Sequence, residues 1–298
     1  MTTKSTLHYL THVEIIALNS AYWEEEPRGF WTYILLPSLS RLQHLTHLSL
    51  TGLPCEGPCL PKLRHYAAGL ISSSKLPFLT LEELTLQELD TLSLSILGMM
   101  QLPNLRLLGI QERRDYDDPE EIDCTPVKFF NWAERDFPIS LPRVTHILLY
   151  KMSSDIVSHN RLLQSAPSVT HLVVSHYFQP EEWDPKWLIW RSQTCITGNA
   201  LPSLCPNLQE LTICCPRGKL RDFKAIVDSR LPTFRKLRIG KGQVDRMENY
   251  VYWGKKRFLP REDTSRQLLG DILEVTDYDF PYFHDEVARM RTSLAGGA

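Results

Sequence analysis

Apolar residues recur along this chain at offsets zero, three, six and eight, often with Pro directly after the first. The clearest copies are Leu42-Leu45-Leu48-Leu50, Phe78-Leu81-Leu84-Leu86 and Leu102-Leu105-Leu108-Ile110. The spacing returns at Leu7-Leu10-Val13-Ile15, Leu141-Val144-Ile147-Leu149, Ala166-Val169-Leu172-Val174, Cys205-Leu208-Leu211-Ile213 and Leu231-Phe234-Leu237-Ile239. A degraded copy stands at Leu60-Leu63-Tyr66-Ala68. Successive starts lie 18 to 39 residues apart. Offsets five to nine alternate with six and eight apolar, the period of a short strand with one buried face. Some intervening segments have helical spacing: Asp155 is placed to cap Ile156–Ser165, and Arg221–Ser229 carries Phe223, Ile226 and Val227 on one face. Strands joined by crossovers in one sense make a parallel sheet, and right-handed crossovers wind it into a coil. Such recurrence means stacked supersecondary units, each covering its neighbour's apolar face. The expected fold is α/β: a right-handed solenoid with a curved parallel sheet over residues 1–242, and a capping segment over residues 243–298. Thr292–Ala298 is expected to be disordered.

Leu-Pro-Asn-Leu at 102–105 and Cys-Pro-Asn-Leu at 205–208 sharpen the pattern. So do the Thr-His pairs that precede a branched apolar residue at 11–13, 46–48, 145–147 and 170–172. In these phrases the chain resembles the leucine-rich-repeat region of fungal-type F-box proteins, over roughly residues 7–242. The resemblance implies a leucine-rich-repeat-like solenoid that binds a protein substrate and presents it to a cullin–RING ubiquitin ligase. Two features depart from that family. Regular repeats carry Asn or Cys at offset eleven, where this chain has residues such as Leu18, Arg113 and Pro216. A helical F-box ahead of the repeats is not recognisable, and Leu259-Pro260-Arg261-Glu262 matches its opening only by chance. Without the F-box, a scaffold with no ligase role is the alternative, and an enzyme built on a solenoid a more distant one.

If offsets six and eight point into the core, offsets five, seven and nine point outward. Offset five reads His12, His47, His65, Glu83, Leu107, His146, His171, Glu210 and Lys236, so five of the ten histidines share one row. Such a row could hold a metal, respond to pH or meet an acidic partner. The plainer account is a strand-entrance habit in which each ring packs on the next. A ladder also disperses ligands where a metal needs them to converge. Leu148, Tyr150 and Val173 make the outward face apolar beside His146 and His171, as in an interface hot spot, unless neighbouring insertions cover the patch. The candidate partner-binding residues are therefore His47, His65, His146, Leu148, Tyr150, His171 and Val173.

Composition narrows the classes further. With 33 basic and 35 acidic residues, the charge favours neither nucleic acid nor an anionic membrane, and no apolar run has the length of a bilayer span. The seven scattered cysteines point to reduced thiols in the cytoplasm or nucleus. Cys55 and Cys59 lack a matching second pair, and the acidic loop 112–123 lacks the order of a calcium loop. Trp183, Trp187 and Trp190 fall at helical spacing and read as packing. Val127–Phe137 is expected to be helical after Thr125-Pro126, and Lys241, Lys255, Lys256, Arg257 and Arg261 make a small basic cluster near the C-terminal cap. No nucleophile elbow, phosphate loop or zinc-protease signature is present, so neither an enzyme nor a cofactor is expected.

Overall fold

The computed structural model describes residues 9–16, 35–52, 75–89, 95–112, 139–150, 162–175, 204–214, 220–240, 270–276 and 282–296. They belong to two compact units, Met1–Arg143 and Val144–Ala298. The architecture is α/β and dominated by parallel strands.

In the first unit the elements are β1 (His12–Ile16), α1 (Leu36–Leu39), β2 (His47–Thr51), β3 (Leu76–Pro77) and β4 (Glu83–Leu89). They continue with α2 (Ser95–Met99), β5 (Met100–Gln101) and β6 (Leu107–Glu112). Strands β1, β2, β4 and β6 pair in that order, all parallel, and the register joins equal offsets: Val13 with Leu48, Leu48 with Leu84, Leu84 with Leu108. β3 and β5 form a separate two-residue parallel pair.

The second unit contains β7 (His146–Tyr150), β8 (His171–Ser175), β9 (Glu210–Cys214), α3 (Leu220–Asp228) and β10 (Lys236–Gly240). A single 3-10 turn, Gly270–Ile272, leads into β11 (Leu273–Thr276), and α4 (Phe283–Gly296) follows. β7 to β11 pair in sequence order, again parallel and in offset register.

Alternation explains why these segments are strands. In β2, β4 and β6 through β10, every residue at offsets six and eight is at most 1% exposed. Each such aliphatic side chain contributes on the order of 1.5–3 kcal/mol relative to exposure. The turn before each strand is equally repetitive. Before β2, β4, β6, β8 and β9 the amide at offset three donates to the carbonyl at offset zero, as from Leu208 to Cys205 at 3.1 Å, while before β10 Phe234 donates to Arg230 O at 3.1 Å. The amides at offsets four and five then share the carbonyl at offset four of the preceding copy. Thr46 and His47 donate to Thr11 at 2.9 and 3.0 Å, and Thr170 and His171 to Thr145 at 2.9 and 3.0 Å. Asn104 and Asn207, at offset two, donate side-chain N–H groups to Leu79 O at 2.6 Å and Pro167 O at 3.2 Å. The Asn of the Pro-Asn phrase thus satisfies a carbonyl of the neighbouring turn.

The structure departs from the sequence expectation at the turn before β10 and in the C-terminal tail. Leu231 opens its copy of the pattern yet is 54% exposed, while Arg230 is 3% exposed. α3 ends one turn earlier, and Arg230 turns inward to donate to Leu204 O at 3.0 Å and Ser229 Oγ at 3.1 Å. β11 adds a strand beyond residue 242, covering the edge of β10 with Leu273 beside Leu237 and Val275 beside Ile239. α4 continues through Gly296, so the tail placed in disorder from Thr292 is helical there, with Ser293 and Leu294 half-buried. Of the helix placed at 156–165, only residues 162–164 are described as helical; α3 matches its expected span, with Phe223, Ile226 and Val227 buried. The degraded copy 60–68 with His65, the helix at 127–137, the tryptophan stripe, the Cys55–Cys59 turn and the basic cluster lie outside the described residues. So does the acidic loop beyond Glu112. Among the described residues, no helix is long and apolar enough to cross a membrane.

Candidate partner-binding face

The rows at offsets five, seven and nine form the outward face of the strands, and a threonine begins each histidine position. Thr46 Oγ lies 3.0 Å from Thr11 O and 2.8 Å from His47 Nδ1. The carbonyl only accepts, so the single hydroxyl proton goes to it, and Oγ must accept from Nδ1–H. Thr170 repeats the arrangement, at 3.2 Å from Thr145 O and 2.8 Å from His171 Nδ1. Both imidazoles are thereby fixed with a proton on Nδ1, and Nε2 faces outward along the row. His12 and His47 stack with centroids 4.0 Å apart, as do His146 and His171 at 4.1 Å. The Thr-His habit therefore has a structural cause: the hydroxyl ties neighbouring strands together and orients a ring that packs on the next.

In the first unit, β1 and the outward side of β2 reach solvent. His12, Glu14 and Ile16 are exposed, and His47, Ser49 and Thr51 are half-buried. Tyr9, just before β1, is 79% exposed and stacks on His44. His47 Nε2 stands 3.7 Å from the Glu83 carboxylate, whose residue is buried together with Thr85 and Gln87 on β4. Of the candidate residues in this unit, His47 retains partial access; His65 lies outside the described residues.

In the second unit the expected open patch is covered. Leu148 and Val173 are 0% and 1% exposed, and His146 and Tyr150 are also buried. What lies over them is α4. Phe283 meets Tyr150 edge-on at 5.9 Å, and Ser293 Oγ is 3.3 Å from His171 Nε2. Ten helical residues rise ~15 Å, and the four strand positions from offset nine to offset five span ~13 Å, so α4 runs antiparallel to the strands. Val287 and Met290 lie on the same stripe between those two contacts and are buried. Leu148 and Val173, the central outward positions, are accordingly closed by an amphipathic helix. The sequence reading passed over these four helix residues, although Phe283, Val287 and Met290 already stand at i, i+4 and i+7.

Beyond α4 the face becomes charged. Glu210 Oε1 is 3.5 Å from His171 Nε2, and the hydrogen bond that the ring donates when both its nitrogens carry protons is the main influence that lowers the carboxyl to about 2. Burial works against this, and the charges of His171, Arg238 and Lys236 assist it. Glu274 on β11 receives Lys236 Nζ at 2.6 Å and Arg238 Nε at 3.2 Å. Burial pulls its carboxyl upward, but the two cations outweigh that effect and leave it below the ordinary range. Among the described residues, no group of three or more His, Cys, Asp or Glu is placed to hold a metal ion. Cys205 is buried at a left-handed backbone position (φ 47°), and desolvation pushes its thiol up to about 12.

The arrangement is one of stacked rings, tied hydroxyls and an apolar strip already holding a helix. No family model, curated protein or solved structure matches the chain.

Proposed function

We propose that this chain is a protein-recognition module whose units are leucine-rich-repeat-like, right-handed solenoid segments, and that it binds partners on the outward strand face. The observation that carries the reading is α4: the face of β7 and β8 already engages a protein segment, through Tyr150, Leu148, Val173 and His171. In the first unit the corresponding rows at β1 and β2 offer small polar side chains between His12, His47, Tyr9 and Ile16. An aromatic and an aliphatic group beside polar ones is the composition of a binding hot spot. The resemblance to F-box proteins supplies the finer part of the proposal. The bound protein would be a substrate delivered to a cullin–RING ligase, in the cytoplasm or nucleus.

The test is affinity capture from the protein's own cells with the wild-type chain and with Ser49→Arg, read by mass spectrometry. Partners held on the face of β2 are expected to disappear with Ser49→Arg while the thermal melt stays unchanged. A cullin adaptor among the lost proteins supports the ligase role. Lost partners without ligase subunits make the chain a scaffold, and an identical set from both chains overturns recognition on this face.

A further inference from the structure

α4 has one buried stripe, Phe283, Glu286, Val287 and Met290, while His284, Asp285, Ala288, Arg291 and Thr292 face solvent. Its stripe is satisfied by the outward side of β7 and β8, a surface that every other rule of the strand leaves for solvent. Offsets six and eight already build the core of this unit without it. Among the described residues, the helix meets this outward face through the Phe283–Tyr150 edge contact and the Ser293–His171 contact, with Val287 and Met290 buried between them. The Glu286 carboxylate is paired within the helix itself, to Arg289 at 2.7 Å, and so does not depend on the sheet. Elements of one fold can open separately, with free energies below that of global unfolding.

We propose that the outward face of β7 and β8 is a receptor for an amphipathic helix, that α4 is its resident occupant, and that a partner helix binds by displacing it. The partner helix carries a large aromatic residue, an aliphatic residue four positions on and a second large apolar residue three further, with a hydroxyl or similar donor after another turn. Tyr150 takes the aromatic edge, Leu148 and Val173 take the aliphatic pair, and His171 Nε2 takes the donor. The proposal rests on the reading of the strand face as a protein-binding surface, and it specifies the class of ligand. Helix-in-groove recognition uses the same anchor spacing.

The probe is a fluorescent peptide of residues 282–296 added to full-length chains. Met290→Asp loosens the resident helix, and Ala288→Asp, on its exposed side, is the control. The peptide is expected to bind the Met290→Asp chain at least tenfold more tightly than the wild-type or control chain, and a peptide with its own Met290→Asp change is expected not to bind. Equal affinity for all three chains would overturn the proposal. So would concentration-dependent dimerisation of the Met290→Asp chain that the peptide does not reverse, which would assign the face to a second copy.

Should Met290→Asp fail to fold, amide exchange of the wild-type chain decides. Amides of α4 exchanging at least tenfold faster than those of β7 and β8 show independent opening; equal protection overturns it. The capture test with Ser49→Arg concerns β2 and cellular partners, whereas this one uses only a peptide and β7–β8. Either can therefore fail while the other stands.

Discussion

A threonine hydroxyl has one proton, and Thr170 commits it to the carbonyl of Thr145, so the neighbouring histidine must donate from Nδ1. That leaves Nε2 of His171 between Ser293 and Glu210. A neutral ring accepts from the Ser293 hydroxyl, and a protonated ring donates toward the carboxylate. Glu210 has a folded value of about 2, below that of an unfolded glutamate near ~4.3. Its contribution to stability is thus complete above the unfolded value and is lost as the pH falls from ~4.3 through about 2. The side chain is 28% exposed and the contact is 3.5 Å long, so screening keeps the contribution near about 1 kcal/mol. Denaturant midpoints should place Glu210→Gln below wild type at pH 6, with the gap closing near pH 2. A gap of the same size at both values would mean that packing, not charge, holds this pair. The histidine row was legible from spacing alone. The burial of Arg230 and the tie made by Asn104 were not, because each depends on where a particular turn ends.

The strands were the most legible elements because a period of two with one buried face fixes which residues point inward. A one-residue slip would bring Ser49 and Thr51 into the core in place of Leu48 and Leu50. The same substitution at adjacent positions therefore separates the two faces. Leu48→Arg puts a charge into the core at a residue 1% exposed and should cost roughly 4 kcal/mol or more. Ser49→Arg sits beside Glu14 on the outer row and should change stability by no more than about 0.5 kcal/mol. Comparable losses in chemical denaturation would mean the phase is wrong. β11 escaped the sequence reading because Leu273-Glu-Val-Thr276 lacks the apolar turn phrase that announces the other strands. α4 escaped for a different reason: amphipathic spacing shows that a helix has a stripe to bury, but not which surface will bury it. Here the surface is the patch at Leu148, Tyr150 and Val173. The residues that read as an open patch are, in the folded chain, buried beneath the chain's own helix.

At the scale of the molecule, the main strands contact their immediate neighbours in the order of pairing, and the turn amides at offsets four and five bond to the turn before. Stability built from nearest-neighbour terms lets damage remain local, in contrast to a single core whose residues all share partners. Leu211, on β9, lies between Leu172 on β8 and Leu237 on β10 and is 0% exposed. Leu211→Asp removes an apolar side chain from both interfaces and leaves an unpaired carboxylate there. Amide exchange should therefore rise most in β9, strongly in β8 and β10, and least in β1 and β2 of the first unit. Uniform acceleration throughout would instead show one cooperative block, because loss of a single interface would then unfold everything. A graded profile has a functional consequence. A surface assembled from separately stable neighbours can yield α4 without surrendering the strands beneath it, and a receptor face that exchanges one helix for another requires that separation.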